Sequence, residues 1–172
     1  MAELIADDHR VRVWTTTDVT GVEVGGALKN VYAIAAGAVE GVGLGYNTTA
    51  LVVTRGCNEM KRLAVKLGAK SETLAGLSGI GDLMLTCFGP ASRNRSVGVR
   101  IGKGEKLEEI TASMAEVAEG VPTIKAAHEL AQKLGLITEL PLLHAIYRIV
   151  YEDMPIAGVL DLLMSLPVEF EG

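Results

Sequence analysis

The sequence predicts an all-α domain with a single strand at its front, and three observations predict it. Helix start and stop signals recur from Asp18 onward. Apolar residues return at intervals of three and four. Only residues 9–18 (HRVRVWTTTD) alternate instead, with Val11, Val13 and Thr15 on one side and Arg10, Arg12 and Trp14 on the other. The 172 residues are enough for one domain with a hydrophobic core, and 49% hydrophobic against 22% charged residues excludes a disordered chain.

Taken in order, residues 2–7 (AELIAD) read as the tail of a helix, followed by the strand. One strand cannot satisfy its own hydrogen bonds, so it needs a partner that this sequence does not supply. A helix then runs from about Gly21 to Ala38. A second starts at Asn47, a good N-cap, and stops at Gly68. A third begins near Ser71, and a short piece opens at Asp82. Ser92 caps a helix ending at Gly102, and another short one covers about Leu107 to Met114. Pro122 sits in a first helical turn and Gly135 closes that helix. Two more run from Pro141 to about Asp153 and from about Pro155 to Ser165.

The formal net charge of −5 argues against a nucleic-acid binder, and no apolar run reaches membrane-spanning length. Cys57 and Cys87 have no metal-ligand spacing and read as reduced, buried thiols of a cytosol-like compartment. His9, His128 and His144 form no metal pattern. The glycine run EGVGLGYN (Glu40 to Asn47) is G-x-G-x-G rather than G-x-G-x-x-G. A helix precedes it where a nucleotide loop requires a strand.

Four stretches carry chemistry. In GVEVGGALKNVYAIAAGA (Gly21 to Ala38), Lys29 is the one lysine on an almost uncharged helix. It shares a face with Gly21, Gly25, Gly26, Ala33, Ala36 and Gly37. That many glycines imply close approach by another helix or by a ligand. A lysine desolvated on such a face is a general acid/base, whereas one that reaches out to water is an ordinary charge. In SGIGDLMLTC, Asp82 is either an N-cap or a carboxylate held for a lysine or a substrate hydroxyl, and Thr86 shares its face. In GPASRNRSVG, Ser92, Arg93 and Asn94 place a guanidinium at a helix N-terminus, which suits a phosphate. Arg100, Lys103 and Lys106 add nearby charge. In VAEGVPT, Glu119 precedes a Gly-Val-Pro turn into a helix.

Together TTTDVTGVEVGGALKNVYAIAAG, NTTALVVTRGCNEM, LSGIGDLMLTC, SRNRSVG and VAEGVPT, in this order over most of residues 11–125, resemble the NAD(P)-dependent glycerol-3-phosphate dehydrogenase family of bacteria and plastids. The resemblance implies a Rossmann dinucleotide domain followed by a helical domain like that of 6-phosphogluconate dehydrogenase. Residues 1–16 would be the remnant of the first domain, and 17–172 the helical substrate and catalytic domain. It implies Lys29 as general acid/base and substrate contact, and Asp82, Ser92, Arg93 and Asn94 as substrate contacts. Arg93, Val117 and Glu119 would be cofactor contacts, and Asn30 and Thr86 would lie near the substrate.

The reaction implied interconverts glycerol 3-phosphate and dihydroxyacetone phosphate for glycerophospholipid synthesis. The cofactor is NAD or NADP, and the residues that choose between them belong to the Rossmann part. The resemblance further implies a homodimer, no nucleic-acid partner, no membrane insertion, and a cytoplasmic or, in a plant, plastid location. The chain alone is expected to be inactive without the pyrophosphate-binding half. Two other readings are a related β-hydroxyacid dehydrogenase, which the phosphate-suited SRNR segment disfavours, and a non-catalytic helical dimerisation module.

Overall fold

A 24-residue helix, α1 (Val19–Val42), forms the axis around which the other helices pack. The computed structural model describes residues 12–157. Asp18 starts α1: its Oδ1 accepts the N–H of Gly21 at 3.0 Å and its Oδ2 that of Lys70 at 2.8 Å. These bonds, after one from the Thr73 hydroxyl, hold the Asp18 carboxyl below its usual range. From Asn30 to Val39 every residue of α1 is buried, as expected of a helix apolar all round.

Among the described residues the helices that follow are α2 (Gly45–Lys66), α3 (Ser71–Leu74), α4 (Asp82–Phe88), α5 (Arg93–Gly102), α6 (Leu107–Ser113), α7 (Gly120–Lys133) and α8 (Pro141–Tyr151). A π-helical segment, Leu77–Gly81, leads into α4, and a 3-10 turn, Ile137–Glu139, leads into α8. The glycine run at 40–47 is a turn. Gly43 and Gly45 take φ of 84° and 81° and reverse the chain between α1 and α2. Because the reversal is that tight, α2 starts at Gly45 and not at Asn47. Leu44 holds the N-cap position without a side-chain cap.

The track of small residues beside Lys29 is mostly a packing surface. A Cβ on Gly37 would strike the carbonyl of Arg95, and one on Gly98 the carbonyl of Ile34, so α1 and α5 meet backbone to backbone. Gly25 likewise faces the Ser78 carbonyl of the π-helical segment. The main core joins Val31, Tyr32, Ile34, Met60, Leu63, Leu83, Ile124, Leu140 and Leu143, and a smaller cluster under α6 joins Val97, Ile110 and Ala118.

A buried carboxylate ties α8 to this core. Glu59 of α2 accepts the N–H groups of Leu142 and Leu143 at 2.7 and 2.9 Å and the hydroxyl of Tyr32 at 3.1 Å. Two otherwise unpaired donors at the start of α8 are thereby satisfied. His128 and His144, far apart in sequence, meet between α7 and α8 with Nε2 and Nδ1 2.9 Å apart, and Tyr147 stacks on His128.

Among the described residues there is no strand. Residues 12–16 of the expected strand run without regular structure, since a strand exists only in a ladder and no described segment offers one. Its first residues, the helix tail at 2–7 and most of the helix expected over 155–165 lie outside the described residues. Among the described residues no single helix is long and apolar enough to cross a membrane. Cys87 is buried as expected, but Cys57 is only partly so; both are free thiols.

Candidate active site

Lys29 lies midway along α1, on a stretch that its neighbours cover only in part. The neighbouring Gly26 has open space where a side chain would be. Opposite it, the π-helical segment ends at Gly81 and hands over to Asp82, the first residue of α4. The wider π turn rotates the start of α4 and aims Asp82 at α1, a use of such segments that recurs at functional sites. Lys29 Nζ donates to Asp82 Oδ2 at 2.5 Å. The lysine is not sealed in the core as its apolar helix suggests: its side chain is 23% exposed, and that of Asp82 31%.

The third wall is the start of α5. Ser92 is its N-cap, with Oγ accepting the Arg95 N–H at 3.2 Å, which leaves the hydroxyl proton available to an anion. Arg93, the first helical residue, is half exposed and ion-paired with Glu116 from the segment between α6 and α7. Asn94 is buried and stitches three elements together. Its Oδ1 accepts the N–H of Gly120 at 2.8 Å and its Nδ2 donates to Asn30 Oδ1 at 2.9 Å. A backbone N–H can only donate, so the orientation of the Asn94 amide is fixed by Gly120. Asn30 in turn donates to the Gly26 carbonyl.

These walls enclose one cleft of about 820 Å³. Of the residues singled out from the sequence, Lys29, Asn30, Asp82, Thr86, Ser92, Arg93, Asn94 and Glu119 all line it. Thr86 does so with its hydroxyl donated to the Asp82 backbone carbonyl rather than to its carboxylate. Val117 does not line it; it is 74% exposed and lies outside the cleft lining. Arg100 belongs to another face, paired with Glu105 and bonded to Ser113. Glu116 and Leu85 are lining residues that the sequence did not mark, whereas Gly26 belongs to the small-residue track on Lys29's face that was offered to a helix or a ligand.

The donor set fits a phosphorylated alcohol beside a nicotinamide. The guanidinium and Ser92 at a helix N-terminus suit the phosphate, and the lysine–carboxylate pair suits a hydroxyl that must lose a proton. The space left by Gly26 would admit a flat ring against α1, with Arg93 and Glu119 within the same lining.

The family model described as NAD-dependent glycerol-3-phosphate dehydrogenase C-terminus matches residues 18–161. A glycerol-3-phosphate dehydrogenase [NAD(P)+] of Desulfovibrio desulfuricans is 57% identical over 90% of this chain and 46% of its own length. A chloroplastic glycerol-3-phosphate dehydrogenase [NAD(+)] of Arabidopsis thaliana is 52% identical over 96% of this chain and 39% of its own. The crystal structure of glycerol-3-phosphate dehydrogenase from Coxiella burnetii superposes with a TM-score of 0.86 at 37% identity, over 95% of this chain and 52% of that one. The chain thus spans about half the length of the relatives it matches, or less. With the helical fold agreeing, the chain belongs to the family of NAD-dependent glycerol-3-phosphate dehydrogenase C-terminal domains.

Proposed function

We propose that this chain is the substrate-binding and proton-transferring half of an sn-glycerol-3-phosphate:NAD(P)+ 2-oxidoreductase. The observation that carries the reading is the Lys29–Asp82 pair set across one cleft from Ser92 and Arg93. Residues 1–16 would then be the end of a dinucleotide-binding domain, and 17–172 the catalytic helical domain.

The bound nicotinamide would supply hydride acceptance from C2 of glycerol 3-phosphate, and hydride donation in reverse. This chain's residues would do the rest. Arg93 and the Ser92 hydroxyl hold the phosphate at the start of α5, with Asn94 fixing that turn against α1. Anchored there, the substrate places its C2 hydroxyl toward Lys29. As C2 gives up its hydride, the hydroxyl proton would pass to Lys29 Nζ, and a carbonyl would form. In the reverse direction the Lys29 ammonium returns that proton to the carbonyl oxygen. Asp82 steers the ammonium and balances its charge. Glu119 and Arg93 would face the cofactor side. A homodimer in the cytoplasm, or in a plastid, serving glycerophospholipid synthesis completes the reading. Its free thiols suit a reducing compartment.

The test joins the chain to the dinucleotide-binding half of a close relative and monitors the absorbance of the reduced cofactor. Saturable turnover with dihydroxyacetone phosphate, lost in Lys29→Ala, is expected. Turnover with an unphosphorylated β-hydroxyacid instead would move the chain to that neighbouring class. No turnover with either would leave a helical dimerisation module.

A further inference from the structure

The cleft poses an electrostatic problem for a dianionic ligand. Among the described residues its ionisable lining comprises two cations, Lys29 and Arg93, and three carboxylates, Asp82, Glu116 and Glu119. Lys29 is already engaged by Asp82. Arg93 is engaged by Glu116. As it stands the lining is formally acidic, yet the proposed function requires it to take a phosphate.

The two ion pairs differ in kind. The Lys29–Asp82 pair joins two helices and is 23% and 31% exposed. The Arg93–Glu116 pair is 51% and 68% exposed, and Glu116 lies on the segment after α6 and outside any helix. An exposed pair of long side chains contributes little, and separating it costs little. Fork-shaped guanidinium groups also accept carboxylate and phosphate oxygens in the same geometry.

We propose that Glu116 occupies the phosphate's place on Arg93 and is displaced by the phosphoryl group of the ligand, so that Glu116 sets the affinity for anionic substrate. The proposal rests on the proposed function of the cleft. Releasing Glu116 turns the phosphate wall from a neutral pair into a free cation at a helix N-terminus, where an anion is favoured. The exchange favours strong anions modestly: a ligand without one gains nothing at Arg93 to offset the loss of the resident carboxylate. Glu116 thus acts against neutral polyols and weak anions while lowering the affinity for phosphate esters modestly.

The probe is inorganic phosphate, titrated at low ionic strength into the isotopically labelled 172-residue chain and read from the Arg93 side-chain and residue 92–95 amide resonances. Glu116→Gln should bind phosphate about two- to fivefold tighter than the parent, the span expected for an exposed pair. Glu116→Asp should stay near the parent. In an Arg93→Ala background Glu116→Gln should change nothing, because the two residues act through one contact. If Arg93→Ala weakens phosphate binding but Glu116→Gln leaves it unchanged or weaker, the displacement proposal is overturned and the phosphate site stands. If Arg93→Ala has no effect, or the parent shows no saturable binding, the phosphate site itself is wrong and the proposal falls with it.

Discussion

Lys29 Nζ and Asp82 Oδ2, 2.5 Å apart, join the middle of α1 to the first residue of α4 across a cleft that no helix fills. The pair spans 53 positions of sequence, so its geometry is made by the fold and not by a local turn. Two packing features bring it about: the close approach of α1 to the π-helical segment at Gly25, and the turn of that segment into α4.

If Lys29 carries the proton, Lys29→Ala should lower the chemical step by about 10²–10⁴, the usual worth of a positioned acid/base, with little change in substrate affinity. Asp82→Asn should keep the shape but release the ammonium, so turnover should fall while the helices stay folded. Steady-state turnover and substrate affinity in the enzyme with its dinucleotide half restored measure both. Near-normal turnover of Lys29→Ala would make the lysine a structural charge.

Arg93→Ala should show the opposite split. It removes one arm of a charged clamp, and hydrogen bonds to charged groups are worth about 1.5–3 kcal/mol, so phosphate-ester affinity should drop by about ten- to hundredfold. The hydrogen bonds that hold α5 to α1 and α7 do not involve Arg93, so the thermal midpoint should hardly move.

The α1–α5 contact predicts a stability effect with no site role. Gly98→Ala puts a methyl where the Ile34 carbonyl already stands, and Gly37→Ala does the same at Arg95. Neither obstacle is a flexible side-chain tip, so the helices must separate, at a cost of about 1–3 kcal/mol or more. Gly26→Ala meets nothing within 4 Å. It should leave stability unchanged or raise it slightly. It should also hinder whatever lies against Lys29's helix. Urea unfolding of the three variants separates the cases, and equal losses for all three would refute the packing account.

Local chemistry is what the sequence displayed well. Ser92 as cap, the start of α4 at Asp82 and the lysine on a glycine-rich face are each readable within a few residues. The division of labour among the glycines was not. Gly25 and Gly26 are neighbours, yet one touches the Ser78 carbonyl and the other faces open cleft, and only the packed neighbours decide which. Glu116 carries no periodic signal because it sits on an irregular segment. Glu59 carries no local signal of its role either, since its two backbone partners lie 83 and 84 positions away. His128 and His144 likewise read as scattered until α7 and α8 were laid side by side.

Those last two groups should shape the pH dependence of stability in opposite directions. Burial, outweighing the Leu142, Leu143 and Tyr32 hydrogen bonds and the charge of Arg55, pushes the Glu59 carboxyl up to about 7. Between about pH 4.5 and 7 the folded chain therefore keeps a proton that the unfolded chain has released, and stability falls as pH rises through that window. Burial first, and then His144, lower the His128 value, against smaller opposing effects of Glu152 and Glu129. There the unfolded chain takes up the proton first, so stability falls as pH drops below about 6.5. The two slopes should partly cancel in the parent protein near pH 5–6.5. Glu59→Gln should remove the first and leave a profile that falls toward acid. It should also lower stability by about 1–3 kcal/mol, because one carboxylate oxygen becomes an NH2 group that cannot accept from Leu142 or Leu143. His128→Gln should remove the second and leave a profile that falls toward neutral pH. Thermal midpoints of the three proteins from pH 4.5 to 8 supply the measurement. Parallel curves for parent and Glu59→Gln would mean that the carboxylate is ionised throughout and that its three donors outweigh its burial.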